Sequence, residues 1–165
     1  VSLGASDPGN ILETVLEGIC AAGIFPSLTV DVVAGACKPA IVEKFTARAS
    51  NVFRFHGFVN NMAALMAKAD IAIGGGGTTS WERCCIGLPS ILLITADNQL
   101  LIAENLEHAG ACIVLGRHEP VTSLDIAKHL TELLGESDRL KAMGKAASII
   151  CDGLGTSRVL SRVLS

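Results

Sequence analysis

The chain reads Ile71-Ala72-Ile73-Gly74-Gly75-Gly76-Gly77-Thr78-Thr79-Ser80-Trp81-Glu82 over residues 71–82. Three apolar residues indicate a buried strand, and the helical pattern of residues 79–86 follows the glycines, so the segment predicts a strand, a loop and a helix. Each ordered glycine costs roughly 0.5–1 kcal/mol relative to alanine, and a tight turn needs only one or two of them. Four glycines in succession therefore predict that a ligand approaches the backbone of this loop.

Apolar runs alternate with helical patterns on both sides of this segment. We predict strands at Leu28–Ala34, Val52–Phe55, Ile71–Ile73, Ser90–Ile94 and Cys112–Leu115. We predict helices at Ile11–Ala22, Ala40–Arg48, Asn61–Lys68, Thr79–Ile86, Gln99–Ala109, Ser123–Leu134, Ser137–Cys151 and Thr156–Leu164. This alternation indicates a parallel sheet covered on both faces. Right-handed crossovers then favour an α/β fold, a Rossmann-like three-layer sandwich with a doubly wound parallel sheet.

Composition excludes several classes of protein. The 165 residues suffice for one domain, and half of them are hydrophobic, which rules out a disordered chain. The net charge of −3 and the scattered Lys and Arg argue against nucleic acid as a partner. The apolar stretches stop well short of the roughly 20 residues that a membrane span needs, and no signal peptide is visible. We therefore expect a cytoplasmic protein without a transmembrane segment.

The six cysteines point to no chemistry of their own. They form no CxxC pair, and histidine and cysteine do not cluster at the spacing of a zinc site. Most of the cysteines lie within apolar segments. We therefore expect reduced, buried cysteines, no metal site and no cofactor.

The first residues predict a strand that is unusually short. Val1-Ser2-Leu3 leads directly into Gly4-Ala5-Ser6-Asp7-Pro8, which is typical of the start of a helix. Buried parallel strands are usually about five or six residues long. We therefore expect the chain to be the second half of a larger protein, cut at or within its first strand.

Ligands of such sheets bind outside the carboxyl ends of the strands, where the strand order reverses. Residues 4–10 combine small residues with the Ser6 hydroxyl, which suits either an anion or an ordinary capped turn. In the glycine-rich segment, Thr78 and Thr79 bring hydroxyls to the start of a helix, where a diphosphate could sit. The segment is neither a Walker P-loop, which has a lysine at a fixed offset, nor a GxGxxG motif.

Several polar side chains near these loops have two interpretations. Glu82 either completes a capping box with Thr79 or accepts hydrogen bonds from sugar hydroxyls. Asp97 or Asn98 could cap the following helix, while the Gln99 amide suits sugar hydroxyls.

His56 and Trp81 favour structural interpretations. His56 follows a strand and precedes Gly57, where an isolated histidine is more often structural than catalytic, although the backbone of residues 56–59 could hydrogen-bond the edge of a base. We expect Trp81 to pack against the sheet.

Four motifs occur in the order typical of a known enzyme family. They are Gly-x-Ser-Asp-Pro-x-Asn at residues 4–10, Met-x-x-Leu-Met-x-x-Ala-Asp-Ile-Ala-Ile-Gly-x-Gly-Gly-Thr-Thr-x-x-Glu at residues 62–82, Gly-Leu-Pro-Ser at residues 87–90, and Asp-Asn-Gln at residues 97–99. The chain resembles the C-terminal half of the UDP-sugar hydrolase of pseudaminic acid biosynthesis. Relatives of that enzyme include spore-coat polysaccharide proteins and, more distantly, the peptidoglycan N-acetylglucosaminyltransferase. The resemblance extends from Gly4 to about Ala109 and implies the nucleotide-binding half of a two-domain GT-B architecture.

The resemblance also implies which residues hold UDP or a UDP-sugar. It places residues 4–10 and the glycine-rich loop on the diphosphate, residues 55–58 near uracil, Glu82 on the ribose hydroxyls, and residues 98–99 on the hexose. Ala5 stands where the family often has a second glycine, so the first loop could sit further from the ligand. The implied binding residues are Ser6, Asn10, His56, Gly57, Phe58, Gly76, Gly77, Thr78, Thr79, Glu82, Asn98 and Gln99, with Gly4 close to the diphosphate.

Three functional hypotheses follow from the residues and the resemblance. In the main one, residues 1–165 form a single UDP-binding domain, the C-terminal half of a hydrolase that releases UDP from a deoxyamino sugar in nonulosonic acid and surface-polysaccharide biosynthesis. The alternatives are the C-terminal domain of a GT-B glycosyltransferase and a non-catalytic nucleotide-sugar binding module. In the family the general base is a histidine of the N-terminal half. We therefore expect no catalytic residue in this chain and no activity of the chain alone.

Overall fold

The structure is a computed structural model that describes residues 1–4, 11–23, 28–35, 39–47 and 51–164, with the backbone alone at residues 51 and 52. The described strands are β1 (Leu28–Val33), β2 (Asn51–His56), β3 (Ala72–Gly75), β4 (Ser90–Ile94) and β5 (Cys112–Arg117). The described helices are α1 (Ile11–Ala21), α2 (Pro39–Thr46), α3 (Met62–Met66), α4 (Thr79–Cys85), α5 (Leu100–His108), α6 (Ser123–Gly135), α7 (Ser137–Ile150) and α8 (Gly155–Val163). A short 3-10 turn, Asp97–Gln99, precedes α5.

The predicted order of strands and helices is therefore confirmed, with one informative shift. The sequence predicts that the third strand ends at Ile73, but β3 continues through Gly74 and Gly75. Two of the four glycines are thus part of the sheet, and the loop that follows β3 is shorter than the glycine run suggests.

The strands form a parallel sheet whose two parts are joined by the first residues of the chain. β1 pairs with β2, and β3, β4 and β5 pair in that order. Ser2 bridges Val33 of β1 and Gly74 of β3, in parallel orientation on both sides. The order across the sheet is therefore β2, β1, residues 1–3, β3, β4, β5. This is the doubly wound order, and it reverses between residues 1–3 and β3.

β4 runs through the middle of the molecule and separates two apolar cores. All five of its residues are buried. Ile91 and Leu93 belong to the core under α1 and α6, whereas Leu92 and Ile94 belong to the core shared with α5 and α7. Because successive side chains of a strand point to opposite faces, helices cover the sheet on both sides. The predicted three-layer sandwich is confirmed.

A glycine permits the close contact of α1 with α6. A Cβ atom at Gly18 would lie 2.7 Å from the Cβ of Ile126, so a larger residue would push the two helices apart. α6 is fixed at its start by a capping box, in which Thr122 and Asp125 exchange hydrogen bonds. These contacts hold one face of the sheet rigidly.

The exposure of single side chains tests several of the predictions made from the sequence. Trp81 is 39% exposed, so the prediction that it packs against the sheet is wrong. Of the cysteines described, Cys84 and Cys112 are buried and free, while Cys85 is exposed. None of the described helices is long and apolar enough to cross a membrane.

Candidate functional site

The candidate site lies at the carboxyl ends of the strands, on both sides of the point where the strand order reverses. Gly4, in the left-handed region with a φ of 101°, leaves the sheet on one side of this point. The residues after β3 leave it on the other. Ser6 and Asn10, which the resemblance implies to be near the diphosphate, lie outside the described residues.

Some of the N–H groups at the end of β3 and in the loop after it donate hydrogen bonds within the sheet, and others do not. The Gly75 N–H donates to the Ser2 carbonyl at 3.3 Å, and the Gly76 N–H donates to the Leu93 carbonyl at 3.2 Å. The sheet thus occupies the Gly76 N–H, which the resemblance implies to be on the phosphates. Donation to a ligand from that group is therefore not supported, because its hydrogen bond is already made.

The next three peptide groups differ from these. The N–H groups of Gly77, Thr78 and Thr79 have no hydrogen-bond acceptor among the described residues. The carbonyls of Gly77 and Thr78 accept from the N–H groups of Ser80 and Trp81, at 2.9 and 3.0 Å, which turns the chain into α4. Three consecutive N–H groups at the start of α4 are therefore available as a donor cluster suited to an anion.

Packing requires a glycine at one of the four positions, Gly74, and leaves room for ordinary van der Waals contacts at Gly76. A Cβ atom at Gly74 would lie 2.2 Å from Nη1 of Arg83 and 2.7 Å from the Ser2 carbonyl oxygen. At Gly76 it would lie 3.4 Å from side-chain atoms of Gln99 and Ala103. The expectation that the whole glycine run reports an approaching ligand is therefore wrong for Gly74, which makes room for a side chain of the protein itself.

Arg83 is the feature of the site that sequence reasoning missed. Arg83 is 2% exposed. Its Nη2 donates to the Gly75 carbonyl at 2.6 Å and to Oγ of Ser80 at 3.0 Å. Its Nε has no hydrogen-bond partner among the described residues. Burial lowers the pKa of the guanidinium to about 10, so Arg83 is protonated at neutral pH.

Glu82 precedes Arg83 in the first turn of α4 and is exposed. The capping residue of α4 is Thr78 and has no side-chain capping bond, so the predicted capping box of Thr79 and Glu82 is wrong. Within the described residues, the Glu82 carboxylate makes no hydrogen bond or ion pair. Of its two sequence interpretations, the structure excludes the capping box, and the contact with sugar hydroxyls stays a prediction.

The Gln99 amide connects the loop after β4 to the glycine-rich loop. Its Oε1 accepts from the backbone N–H and the Oγ1 of Thr95, at 3.0 and 3.1 Å. Its Nε2 lies 3.7 Å from the position that a Cβ atom of Gly77 would occupy. The oxygen is thus used inside the protein, and the amide nitrogen is directed towards the group of unpaired N–H donors.

The neighbours of Gln99 do not cap α5. Neither Asp97 nor Asn98 makes a capping bond, because both belong to the 3-10 turn that precedes the helix. Asp97 instead accepts from Nη1 of Arg117 at 2.6 Å. Asn98 is exposed and makes no side-chain hydrogen bond to the described residues.

His56 ends β2 and is fixed by a carboxylate. Its Nε2 lies 2.7 Å from Oδ1 of Asp31 on the neighbouring strand β1. Beyond it, Gly57 is exposed and Phe58 is 85% exposed. His56 is thus held in place at the end of β2, and an exposed aromatic ring follows it directly.

The structure brings the glycine-rich loop and the loop after β4 together, with Gln99 against Gly77. Residues 56–58 are separate from them, because β1 and residues 1–3 lie between β2 and β3. At the usual strand spacing this separation is about 14 Å. A single side chain does not span that distance, whereas an elongated ligand such as a nucleotide does.

A known family covers most of the chain. The profile described as "Glycosyltransferase family 28 C-terminal domain" matches residues 33–155, well over half of the sequence. The chain therefore belongs to this family.

Two curated relatives show the range of similarity. The spore coat polysaccharide biosynthesis protein SpsG of Bacillus subtilis is 26% identical over 162 residues, which cover 96% of this chain and 47% of that protein. The UDP-N-acetylglucosamine–N-acetylmuramyl-(pentapeptide) pyrophosphoryl-undecaprenol N-acetylglucosamine transferase of Solidesulfovibrio magneticus is 41% identical over 96 residues, which cover 54% of this chain and 26% of that enzyme. The chain thus spans about half the length, or less, of these relatives.

Solved structures share the fold over nearly the whole chain. MurG of Acinetobacter baumannii has a TM-score of 0.79 at 17% identity, with 99% of this chain and 48% of that chain covered. The S. aureus MnaA–UDP co-structure has a TM-score of 0.73 at 13% identity, with 98% and 43% covered. The predicted fold, one half of a GT-B architecture, is confirmed by these neighbours.

The comparisons change the balance between the functional hypotheses. The family and the second relative are glycosyltransferases by name, and the name of the spore-coat relative states a polysaccharide pathway without a reaction. A hydrolase of pseudaminic acid biosynthesis has no support among them. The glycosyltransferase alternative is therefore better supported than the main hypothesis.

Proposed function

We propose that this chain is the nucleotide-sugar binding half of a two-domain GT-B glycosyltransferase and that it binds a UDP-sugar across the carboxyl ends of β2, β3 and β4. One observation carries the proposal. Within the described residues, the N–H groups of Gly77, Thr78 and Thr79 have no acceptor, and they lie at the point where the strand order reverses. The Gln99 amide nitrogen lies near Gly77, and the exposed Glu82 follows in the first turn of α4. Donors for a diphosphate and an acceptor for hydroxyl groups are thus close together.

Each part of a UDP-sugar has a matching group in this arrangement. The three N–H groups hold the diphosphate, and Glu82 accepts hydrogen bonds from the ribose hydroxyls. The backbone of residues 56–58 lies near uracil, with the exposed Phe58 ring beside it. We expect Asn98 and Nε2 of Gln99 to contact the hexose, and Ser6 and Asn10 to lie on the diphosphate.

The chain's contribution to the reaction is to hold and stabilise the leaving group. Transfer of the sugar breaks the bond between its anomeric carbon and the diphosphate, so negative charge develops on the diphosphate oxygen. N–H donors fixed in place stabilise that charge. We assign the activation of the acceptor to the other half of the protein, since the site residues described above include no general base next to this loop.

A hydrolase of a UDP-linked deoxyamino sugar remains the second candidate. The name of the spore-coat relative, which aligns with 96% of this chain, states no reaction and is compatible with a hydrolase as well as with a transferase. The two candidates share the same UDP site and differ in the acceptor, which is an alcohol in a transferase and water in a hydrolase. In either case we place the reaction in the cytoplasm, as the sequence predicts.

Titration calorimetry with UDP, UMP, UDP-N-acetylglucosamine and thymidine diphosphate tests the UDP site. We expect UDP to bind about as tightly as the intact UDP-sugar, because the uridine and diphosphate contacts lie in this chain. No heat with millimolar UDP, for a protein shown to be folded by circular dichroism, contradicts the proposal.

An assay of the full-length gene product separates the two reactions. UDP release from a UDP-sugar that requires an added acceptor alcohol identifies a transferase. UDP release at the same rate in water alone identifies the hydrolase. The isolated chain serves as the control, and we expect it to release no UDP.

A further inference from the structure

A buried cation that makes no ion pair with any described residue lies directly under the glycine-rich loop; the neighbouring Glu82 carboxylate attracts it without contacting it. Arg83 is almost fully buried, and within the described part of the chain it forms no ion pair. Its hydrogen bonds to the described residues go to neutral oxygens, the Gly75 carbonyl and the Ser80 hydroxyl. An uncompensated buried charge is expensive for a protein, so its presence calls for a compensating anion.

The hydrogen bonds of Arg83 connect it to the ligand donors. The carbonyl of Gly75 and the N–H of Gly76 belong to the same peptide group. Arg83 holds the carbonyl, and Leu93 accepts from the N–H at 3.2 Å, so this peptide plane is fixed at both ends. The next N–H along the chain, that of Gly77, is the first one left free for a ligand.

The surroundings of Arg83 are arranged to accommodate the guanidinium at this place. Gly74 leaves space for Nη1, since a Cβ atom there would lie only 2.2 Å from it. Ser80 is 1% exposed, accepts from Nη2 and also donates to the Gly75 carbonyl at 3.4 Å. Three residues of one short segment thus fix the position of a single positive charge.

We propose that Arg83 is a positioning residue for the diphosphate: it fixes the last sheet-held peptide before the free N–H donors, and the phosphates of the bound nucleotide balance its buried charge. This inference rests on the proposed UDP site. It adds that Arg83, which does not touch the ligand, makes the affinity of the site depend on the charge of the ligand.

The experiment measures the affinities of UDP, UMP and uridine for four forms of the chain. These are the wild type, Arg83→Lys, Arg83→Gln, and Arg139→Gln as a control that removes one exposed positive charge on α7. We expect Arg83→Gln to weaken UDP binding roughly tenfold to a hundredfold, UMP less, and uridine hardly at all. Arg83→Lys keeps the charge and should stay within about threefold of the wild type, as should Arg139→Gln.

The outcomes separate this inference from the proposed function. If the wild type does not bind UDP, the proposed function fails. If the wild type binds UDP and Arg83→Gln binds all three ligands as the wild type does, the inference about Arg83 is wrong. Equal weakening of all three ligands indicates a purely structural role and also overturns it.

A measurement on the wild type covers the case in which the variants do not fold. NMR of the arginine side chains follows the buried Nε–H of Arg83, which has no partner in the described structure. We expect its resonance to shift on addition of UDP and UMP and to stay in place with uridine. A resonance that does not move with UDP, in a sample that binds UDP, contradicts the inference.

Discussion

β3 and β4 are neighbouring strands in the centre of the sheet, and they differ sharply in residue composition. β4 is apolar and buried at every residue after Ser90, and its side chains fill the cores on both faces. β3 ends in two glycines, and the missing side chain of the first, Gly74, leaves space for the charged guanidinium of Arg83. β4 therefore stabilises the fold through its packing, whereas β3 lacks side chains at the end where the candidate site begins.

The largest expected effect removes packing from β4. Leu92→Ala deletes a fully buried side chain from the core under α5 and α7 and should destabilise the fold by about 2–5 kcal/mol. Chemical denaturation gives the free energy of unfolding. Below the transition, the folded fraction should bind UDP as the wild type does. A loss of UDP affinity at full folding would show that the two strands are not separate in function.

A pair of glycine variants in β3 tests the opposite side of the comparison. Gly74→Ala introduces a Cβ atom 2.2 Å from the Arg83 guanidinium, whereas Gly75→Ala meets nothing closer than 3.6 Å. We expect Gly74→Ala to destabilise the fold by about 1–3 kcal/mol and to displace Arg83. Gly75→Ala should cost less than about 1 kcal/mol.

Thermal melts and UDP titrations of the two glycine variants give the measurement. Gly74→Ala should weaken UDP binding even at temperatures at which it is fully folded. Equal stability of the two variants would mean that the space at Gly74 is not needed by Arg83.

The same contrast explains what the sequence predicts and what it does not. An apolar run such as Ile91–Ile94 predicts a buried strand, because a strand that helices cover on both faces is apolar at every residue. Arg83 has no such signal, since a charged residue on a helix is normally exposed. Only the geometry around Gly74 shows that the charge points inwards.

Two errors at the site have a common cause, which is a shift of one or two residues in the capping position of a helix. A capping box from Thr79 to Glu82 requires Thr79 to precede the helix, but α4 begins at Thr79 and its capping residue is Thr78. Likewise Asp97 begins a 3-10 turn, so that it cannot cap α5. Spacing identifies the residue types of a site, whereas their roles depend on where the first helical turn begins.

A change at Gln99 tests the contact between the loops that follow the two strands. Gln99→Glu keeps an oxygen that accepts from Thr95 and replaces the amide nitrogen near Gly77 by a second, negatively charged oxygen. We expect UDP affinity to fall roughly tenfold or more, because an anion would then face the diphosphate. The melting temperature should stay within a few degrees of the wild type. Unchanged UDP affinity by calorimetry would place the diphosphate away from Gln99.

The smallest expected effect concerns Glu82, the carboxylate that follows β3 on the exposed side of α4. Because the capping box is absent, Glu82→Gln should leave the free energy of unfolding within about 0.5 kcal/mol of the wild type. If the carboxylate accepts from the ribose hydroxyls, the neutral amide replaces only part of that interaction. A hydrogen bond to a charged group is worth roughly 1.5–3 kcal/mol and a neutral one about 1 kcal/mol, so UDP binding should weaken by up to about tenfold.

A cycle that combines Glu82→Gln with removal of the ribose 2′-hydroxyl decides the role of this carboxylate. The wild type should bind 2′-deoxy-UDP more weakly than UDP, and the substitution should affect the deoxy ligand less than UDP. A coupling energy near zero would mean that Glu82 does not contact the ribose. In that case Glu82, which has no hydrogen-bond partner among the described residues, would be an ordinary surface residue, and the ribose would have to be held from the residues at the end of β2. A coupling of about 1 kcal/mol would instead place the ribose over α4 and orient the nucleotide from Phe58 towards Gln99.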